Sequence, residues 1–385
     1  MENNKIPNIR FKGFTDPWEQ RKLGDIVPIT MGQSPDGSTY SDKPSDYILV
    51  QGNADLQNGW VTPRIWTTQI TKKADAGDLI MSVRAPAGAM GKTAYNAVIG
   101  RGVAAIKGNE FIYQLLVKMD SDGYWKTLSC GSTFESLNSN NIKNADVLIP
   151  NTDEQEKIGD YFANLDNLIT LHQRKYNKLL NVKKSMLEKM FPKNGSNIPE
   201  IRFKGFTDPW EQRKFQDVIE VAYQGINTTA DKVKYVNEGV PILQGKHITS
   251  GKIDYKDVRY LDKEKYEPIY YPKYVPQAND ILLANIGTIG PSVVMEPGVE
   301  LLIAWNIMLI RLNERADVKF VKVFLDKLNN CNFYESIMRG NATKFINKEG
   351  IMNIEIPYPS VCEQQKIGAY FANLDNLITL HQREF

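Results

Sequence analysis

The chain repeats two segments almost letter for letter, with dissimilar sequence between the copies. IPNIRFKGFTDPWEQRK at residues 6–22 returns as IPEIRFKGFTDPWEQRK at 198–214, with one difference in seventeen positions. EQEKIGDYFANLDNLITLHQR at 154–174 returns at 363–383 with two differences in twenty-one. Such a repeat predicts two related units that share a constant frame and differ in the segments at 23–153 and 215–362.

Composition and charge restrict the class of protein. A chain of 385 residues with 42% hydrophobic and 24% charged residues is typical of a globular protein of two or three domains. Its formal charge of +2 is too small to indicate a polyanionic partner. Cys130, Cys331 and Cys362 form no CxxC pair, and the chain shows neither a signal core nor an apolar run of membrane-spanning length. We therefore predict a cytoplasmic protein.

The second repeated segment predicts two long helices. Apolar residues recur in it at spacings of four and three, which is typical of a coiled-coil seam. Asn151 and Ser360 each precede a glutamate, Glu154 and Glu363, by three residues, as in a capping box. A helix over residues 154–191 would be roughly 57 Å long and would act as a spacer. The predicted seam residues are Ile158, Phe162, Leu165, Ile169, His172, Tyr176 and Leu179 in the first helix and Ile367, Phe371, Leu374, Ile378 and His381 in the second.

Two polar features of these helices have a structural and a functional interpretation. His172 and His381 occupy identical seam positions, and a hydrogen bond between helices is favoured over a metal site because no cysteine or carboxylate stands at ligand spacing. The first helix ends in lysines, which suits the helix dipole and leaves a phosphate or acidic-partner contact as the alternative. We predict no metal site.

The two variable segments follow one order of events and predict one α/β fold with different loops. Each has a polar turn, an apolar strand beginning at an aspartate (78–83 and 280–286), a further strand (103–107 and 303–312) and an amphipathic helix. Each then has a glycine-led polar stretch (131–144 and 340–353) and a short strand that ends in proline. Loops on a shared scaffold are where binding residues are expected.

The motifs of the chain resemble one protein family. The duplicated opening at 6–22, GQSP at 32–35, GDLIMSVRAPAG at 77–88, GSTFESL at 131–137 and the helix at 154–174 together resemble the specificity subunit of type I restriction-modification systems. The resemblance covers essentially the whole chain. It implies a noncatalytic DNA-binding subunit whose two target recognition domains each read one half of a bipartite asymmetric double-stranded DNA site.

The resemblance also implies an architecture and partners. Two long antiparallel helices hold the recognition domains apart and bind two modification (methyltransferase) subunits, to which restriction (translocase and nuclease) subunits are added. The outward Tyr161 and Tyr370 are expected to contact partner subunits. S-adenosylmethionine, and ATP with Mg, are expected in those subunits, and no cofactor is expected in this chain. The expected domains are target recognition domain 1 (1–150), the central spacer helix (151–193), target recognition domain 2 (194–359) and a shortened C-terminal helix (360–385).

Motifs for catalysis are incomplete. GAMGKT at 88–93 resembles the end of a phosphate-binding loop, but Pro86 stands where the first glycine of that loop belongs and lacks the N–H that the loop needs. A methyltransferase would need a glycine-rich cofactor loop and a second proline after Asp16-Pro17, and a nuclease would need an acidic-x-Lys partner for Pro35-Asp36. The sequence therefore predicts no active site.

Candidate DNA contacts are polar residues in predicted loops or beside strands. Arg, Lys, Asn and Gln read base edges, while Ser, Thr and backbone N–H groups hold phosphates. For each candidate, an ordinary solvated or turn-forming role is the alternative. The candidates are Gln33, Ser34, Tyr40, Gln51, Asn53, Arg84, Lys92, Ser132 and Thr133 in the first segment and Asn227, Thr228, Gln244, Lys246, His247, Asn285, Thr288, Asn341 and Lys344 in the second.

Two other functions remain to be distinguished from DNA reading. One is a scaffold or inhibitory adaptor that keeps the helices but does not read DNA, and it would confer no methylation pattern. The other is a stand-alone methyltransferase or nuclease, which cofactor binding to the isolated chain would reveal.

Overall fold

The computed structural model describes residues 6–128, 136–193, 195–249 and 251–383. The chain divides into two compact units, unit 1 (Met1–Thr170) and unit 2 (Leu171–Phe385). This division falls inside the long helix, so it does not test the predicted domain boundaries, which stay predictions.

Among its described residues, unit 1 contains short strands, four short or medium helices and the first half of a long helix. Its elements are β1 Glu19–Lys22, α1 Leu23–Ile26, β2 Ile29–Met31, β3 Tyr40–Ser41, β4 Tyr47–Val50, β5 Leu56–Gln57, β6 Trp60–Val61, β7 Ile65–Thr67, β8 Lys72–Ala74, β9 Leu79–Ser82, β10 Met90–Lys92, β11 Ala97–Ile99, β12 Val103–Ile106, α2 Glu110–Ser121, α3 Tyr124–Leu128, α4 Ser139–Lys143, β13 Asp146–Ile149 and α5 Thr152–Lys189.

Unit 2 takes in the second half of α5 and follows a similar order of elements. Its further elements are β14 Glu211–Lys214, β15 Ile219–Gln224, β16 Tyr235–Val236, β17 Val240–Leu243, β18 Ile248–Thr249, β19 Lys252–Ile253, β20 Arg259–Leu261, α6 Lys263–Tyr270, β21 Ile281–Ile286, β22 Thr288–Val294, β23 Leu302–Ile303, β24 Ile307–Leu312, α7 Val318–Asn330, α8 Lys348–Met352, β25 Glu355–Tyr358 and α9 Val361–Arg383.

The main sheets of the two units share one topology. In unit 1, β12 pairs antiparallel with both β2 and β9, and β9 pairs with β10. In unit 2, β24 pairs antiparallel with both β15 and β21, and β21 pairs with β22. The second sheet of each unit contains a parallel pair, β4 with β11 and β17 with β23. The described residues therefore confirm the predicted α/β fold class, present twice, with a long helix between the copies.

The first repeated segment closes each unit with a short strand. EQRK forms β1, which pairs with β13 in the register Glu19↔Ile149, and it forms β14, which pairs with β25 in the register Glu211↔Tyr358. The partner strands immediately precede α5 and α9. The frame therefore joins the beginning of each unit to the strand that leads into its long helix.

Both long helices begin with the predicted cap but use the glutamate differently from a capping box. The N–H of Glu154 donates to Asn151 Oδ1 at 3.0 Å, and the N–H of Glu363 donates to Ser360 Oγ at 3.4 Å. Each buried carboxylate receives a two-pronged contact from a frame arginine instead of returning to the cap. Arg10 holds Glu154 at 2.6 and 2.7 Å. A bidentate pair between arginine and carboxylate adds geometric specificity to the strength of a charge-assisted hydrogen bond.

The cores lie between the main sheet and the helices of each unit. In unit 1, Leu79, Met81 and Ala104 of the sheet pack with Phe111 and Leu116 of α2. In unit 2, the corresponding core combines the sheet with α7, the end of α5 and the start of α9. Trp18 and Trp210 of the frame pack against these cores.

One predicted strand is wrong. The apolar run IAWNIMLIRL at 303–312 is interrupted by a turn at residues 304–306, which separates β23 from β24. The N–H of Ile307 donates to the Ala304 carbonyl oxygen at 2.9 Å and closes this turn. Hydrophobicity alone cannot show such a turn, because a buried turn and a buried strand have the same apolar pattern.

Candidate nucleic-acid interface

Loop segments from separate strands meet in unit 1 and form what we call loop cluster 1. The N–H of Gly100 donates to the Val50 carbonyl oxygen at 2.8 Å, and the N–H of Gln33 donates to the Ile99 carbonyl oxygen at 2.9 Å. Val83 links two further loops, because its N–H donates to Gly102 and its carbonyl oxygen accepts from Leu137, both at 2.9 Å. Loop cluster 1 comprises residues 32–36, 51–54, 83–85, 100–102 and 136–138.

The corresponding loops of unit 2 form loop cluster 2 with the same connections. The N–H of Ala304 donates to the Leu243 carbonyl oxygen and the N–H of Ile226 to the Ile303 carbonyl oxygen, both at 2.8 Å. Asn285 corresponds to Val83, because its N–H donates to Asn306 at 3.2 Å and its carbonyl oxygen accepts from Ile346 at 2.9 Å. Loop cluster 2 comprises residues 225–228, 244–247, 285–288, 304–306 and 339–346.

Most sequence-predicted DNA contacts lie in these two clusters. Polar side chains that are exposed there can reach an external ligand, whereas half-buried ones are partly enclosed by the loops. The exposed candidates are Gln33, Arg84, Asn227, Lys246, Thr288, Asn341 and Lys344, and the half-buried ones are Ser34, Gln51, Asn53, Thr228 and Gln244. Tyr40 lies beside cluster 1 and donates its hydroxyl to the Pro35 carbonyl oxygen at 3.2 Å. Ser132 and Thr133 lie outside the described residues.

Three predicted contacts have structural roles in the described chain. Lys92 lies in β10, outside the cluster, where its ammonium pairs with Glu110 at 3.0 Å and lies over the Trp60 and Tyr113 rings. Asn285 is fully buried and donates its Nδ2 to the Ile346 carbonyl oxygen at 2.9 Å. Neither side chain can reach a base edge without leaving these partners.

His247 is the third of these residues. It is 3% exposed, and its Nδ1 accepts the Gln244 N–H at 3.0 Å, which closes the turn before β18. Burial lowers the pKa of His247 below its ordinary value, and the neighbouring Lys246 cation lowers it further. A neutral ring is what the turn requires, because a protonated Nδ1 cannot accept.

The two copies of the repeated helix differ in exposure. In α9, Phe371, Leu374 and Ile378 are buried, at 0%, 6% and 9% exposure. Lys183 pairs with Asp375 at 2.6 Å, and His172 lies 3.4 Å from His381 between the Nδ1 atoms, so α9 runs antiparallel to the second half of α5. Tyr176 and Leu179 are half-buried, and Ile367 is buried in the core of unit 2.

The first copy presents the same apolar sequence to solvent. Phe162, Leu165 and Ile169 are 43%, 36% and 52% exposed, and Ile158 is half-buried at the core of unit 1. The sequence predicts that these residues hold the two long helices together, and for the first copy that packing stays a prediction. Tyr161 and Tyr370, the predicted partner contacts, pack edge-on against Phe11 and Phe203 of the frame, at 5.9 and 6.1 Å between ring centroids.

Two exposed residues of the loop clusters, Arg101 and Trp305, are not among the candidates that the sequence predicts. Both lie at exposed turn tips. The signal for Arg101 was present, since Gly100 and Gly102 on either side of it mark a turn. Trp305 had no such signal, because it lies within the apolar run that reads as one strand.

Two further classes of site concern metal ions and membranes. Among the residues that the structure describes, no group of three or more His, Cys, Asp or Glu side chains could hold a metal ion. No helix in the same ranges is long and apolar enough to cross a membrane.

Comparison with known proteins identifies one family. The model of the type I restriction modification DNA specificity domain matches residues 15–181 and again residues 207–384. A putative type I restriction enzyme MjaX specificity subunit of Methanocaldococcus jannaschii is 28% identical over 197 residues, which cover 49% of this chain and 45% of that protein. The type I restriction enzyme MjaVIII specificity subunit of the same organism is 23% identical over 283 residues, which cover 71% and 64% of the two chains. The chain thus spans about half to two thirds of the length of these relatives.

A solved structure shows the same fold. The S subunit of a type I restriction-modification system from M. genitalium matches with a TM-score of 0.62 and 12% identity, over 99% of this chain and 94% of that one. At this identity the likeness concerns the fold alone.

Proposed function

Because this chain belongs to the family of type I restriction modification DNA specificity domains and carries two copies of that domain, we propose that it reads a bipartite asymmetric DNA site for a methyltransferase and endonuclease assembly. Specificity subunits of this family are noncatalytic. The observation that carries the proposal is the presence of two equivalent loop clusters that differ in their exposed polar side chains. Equivalent scaffolds with different side chains suit two half-sites of different sequence.

The exposed side chains of each cluster have the chemistry of base and phosphate recognition. Cluster 1 presents Gln33, Arg84 and Arg101, and cluster 2 presents Asn227, Lys246 and Lys344. Amide side chains and guanidinium groups pair with base edges, and ammonium groups neutralise phosphates. Since the whole chain has a charge of only +2, these local cations rather than the net charge would attract DNA.

The long helices supply the second part of the proposal, which is assembly. We propose that two modification subunits bind to α5 and α9. Restriction subunits would then bind to the resulting complex. S-adenosylmethionine and ATP with Mg²⁺ would then be bound by those subunits. The exposed apolar face of α5 at residues 162–169 supports this role, since a monomer seldom leaves such a face to solvent.

Methylation mapping tests the proposed function. The chain is co-expressed with its modification subunit in a host without other adenine methylation, and methyladenine is mapped by long-read sequencing. The expected result is one bipartite motif with a fixed gap, absent when the chain is omitted. A stable complex without any motif would contradict DNA reading and favour the adaptor alternative.

A further inference from the structure

Arg101 and Trp305 occupy the same position in the two units. Arg101 lies between β11 and β12, and Trp305 lies between β23 and β24. The residue before each donates its N–H to the end of the neighbouring parallel strand, from Gly100 to Val50 and from Ala304 to Leu243, both at 2.8 Å. The two turns are therefore equivalent parts of the fold, although one carries a cation and the other an aromatic ring.

The backbone of both turns is held on several sides. The N–H of Arg101 donates to Ser34 Oγ at 3.1 Å. The N–H of Trp305 donates to the Ile226 carbonyl oxygen at 2.8 Å, and its carbonyl oxygen accepts from Gln224 Nε2 at 3.1 Å. Each tip thus hydrogen-bonds to the loop that follows the first strand of its main sheet.

Two equivalent glycines show how closely these loops approach. A Cβ atom on Gly32 would lie 2.1 Å from the Gly100 carbonyl oxygen, and one on Gly225 would lie 2.2 Å from the Ile303 carbonyl oxygen. Only glycine fits at such an approach. Because the backbone is fixed in this way, the direction in which each tip side chain leaves the protein is also fixed.

The side chains at the two tips are free while their backbones are not. Arg101 is exposed, and its guanidinium has no hydrogen-bond or ion-pair partner within the described ranges. Trp305 is 43% exposed, and its indole N–H likewise has no partner among those residues. By contrast, the exposed Arg21 and Arg64 form ion pairs with Glu19 and Asp55. A held turn that presents an unpaired cation or a large exposed ring within a loop cluster is suited to contact a ligand.

The chemistry of each side chain specifies a different kind of DNA contact. When its backbone is fixed, an arginine can form two hydrogen bonds with O6 and N7 of a guanine in the major groove. A tryptophan has no acceptor and a single donor, so it recognises DNA through apolar contact with a thymine methyl group or by insertion between base steps. The two tips would therefore read different bases.

We infer that the turn tip between these two strands is a principal base-reading position of each unit, with Arg101 reading a guanine in one half-site and Trp305 making an apolar or stacking contact in the other. This inference rests on the proposed function, because it assigns residues within the DNA-reading surface.

The test maps methylation by complexes that contain Arg101→Ala, Arg101→Lys, Trp305→Ala or Trp305→Phe. Arg101→Ala is expected to make one position of a single half-site degenerate, with roughly a 10- to 100-fold loss of discrimination there. The other half-site and the gap stay unchanged. Trp305→Ala is expected to affect only the opposite half-site, and Trp305→Phe to retain more of the preference because the ring is partly kept.

Matched controls separate base reading from loss of charge or surface. Arg21→Ala removes an exposed arginine from β1, outside cluster 1, and Tyr235→Ala removes a ring that is 37% exposed from β16, outside cluster 2. Both control complexes should return the wild-type motif. Binding measured at several salt concentrations adds a second readout. Loss of a phosphate contact reduces the magnitude of the slope of log K against log salt by about 0.9, whereas loss of a base contact leaves that slope unchanged.

The outcomes distinguish this inference from the proposed function. If the wild-type complex gives no motif, the proposed function fails and the inference with it. If the wild type gives a motif that Arg101→Ala and Trp305→Ala both leave intact in folded complexes, DNA reading stands and the tip assignment is overturned. If Arg101→Ala weakens binding to all DNA sequences equally and reduces the magnitude of the salt slope, Arg101 contacts a phosphate. That result overturns its assignment to a base.

Discussion

Asp55 and His247 occupy equivalent positions in the two units. Each side chain accepts a hydrogen bond from a backbone N–H, one through a carboxylate and the other through an imidazole ring. Each lies immediately before a short strand, β5 or β18. Asp55 Oδ2 accepts the N–H of Gln51 at 2.7 Å, and His247 Nδ1 accepts the N–H of Gln244 at 3.0 Å. A buried acceptor is thus required at this position, and the imidazole ring makes the second unit sensitive to pH.

The pH dependence of His247 follows from the direction of its pKa shift. Burial and the Lys246 cation lower its pKa, while Asp254 and Asp257 oppose that change. A group whose pKa is lower in the folded state contributes stability above its unfolded pKa and loses that contribution as the pH falls below it, from about 6.5 downward.

We therefore predict that His247→Asn flattens the pH dependence of stability. The asparagine Oδ1 can replace Nδ1 as acceptor and does not titrate. Urea unfolding of both proteins at pH 8 and pH 5.5 measures the effect, and the wild type should lose more stability on acidification than the variant. Equal losses in the two proteins would show that folding does not lower the pKa of His247.

At the scale of elements, the repeated helix shows that burial is not a property of its sequence. YFANLDNLI is largely exposed at 161–169 and packed at 370–378. The difference arises because α9 runs along the second half of α5, whereas the described part of the chain leaves the face at 162–169 uncovered. The same residues therefore contribute differently to stability in the two positions.

The identical sequence provides a matched pair of variants. Leu374→Gln places an amide in a buried site and is expected to lower the free energy of unfolding by about 2–4 kcal/mol. Leu165→Gln, at the same place in the first copy, is expected to change it by less than about 0.5 kcal/mol, because Leu165 is 36% exposed. Urea unfolding of the isolated chain measures both.

The Leu165 variant also tests the predicted seam. If the face at 162–169 is covered when partner subunits bind, Leu165→Gln should weaken assembly on gel filtration while leaving the isolated chain stable. Normal assembly of this variant would rule out a seam at that face. Equal destabilisation of the isolated chain by both variants would instead contradict the difference in burial.

At the scale of the whole molecule, α5 is one continuous helix of 38 residues that passes from unit 1 into unit 2. The contacts of α5 with α9 through His172 and Lys183 lie on the unit 2 side of residue 170. Length added between Thr170 and Leu171 would therefore leave the loops and cores of both units unchanged.

We predict that insertion of seven helical residues between Thr170 and Leu171 changes the gap of the methylated motif but not its bases. Seven residues add about 10 Å of helix, which corresponds to roughly 3 base pairs. Methylation mapping should give both wild-type half-sites with a longer gap. A seven-residue insertion in the exposed turn at Gly298 is the control and should leave the gap unchanged, and altered half-site bases after the helix insertion would contradict the spacer role of α5.

Much of this architecture is predictable because repeats, periodicity and caps are local signals. The duplicated segments predict two units, the spacing of apolar residues predicts α5 and α9, and Asn151 and Ser360 predict where these helices begin. The same comparison of the two halves identifies most of the loops that form the candidate interface. Each of these features is a property of neighbouring residues, so the sequence contains it.

Tertiary structure alone decides what those residues contact. Lys92 is a reasonable phosphate ligand by type, yet Glu110 and two aromatic rings hold it inside unit 1. Trp305 belongs to an apolar run, yet the pairing of β23 with β17 and of β24 with β15 places it on an exposed turn. The sequence by itself determined the number of units, their shared fold and the family. The exposure of Phe162 and the burial of the identical Phe371 depended on which element packs beside each, because burial is a relation between distant segments and not a property of either one.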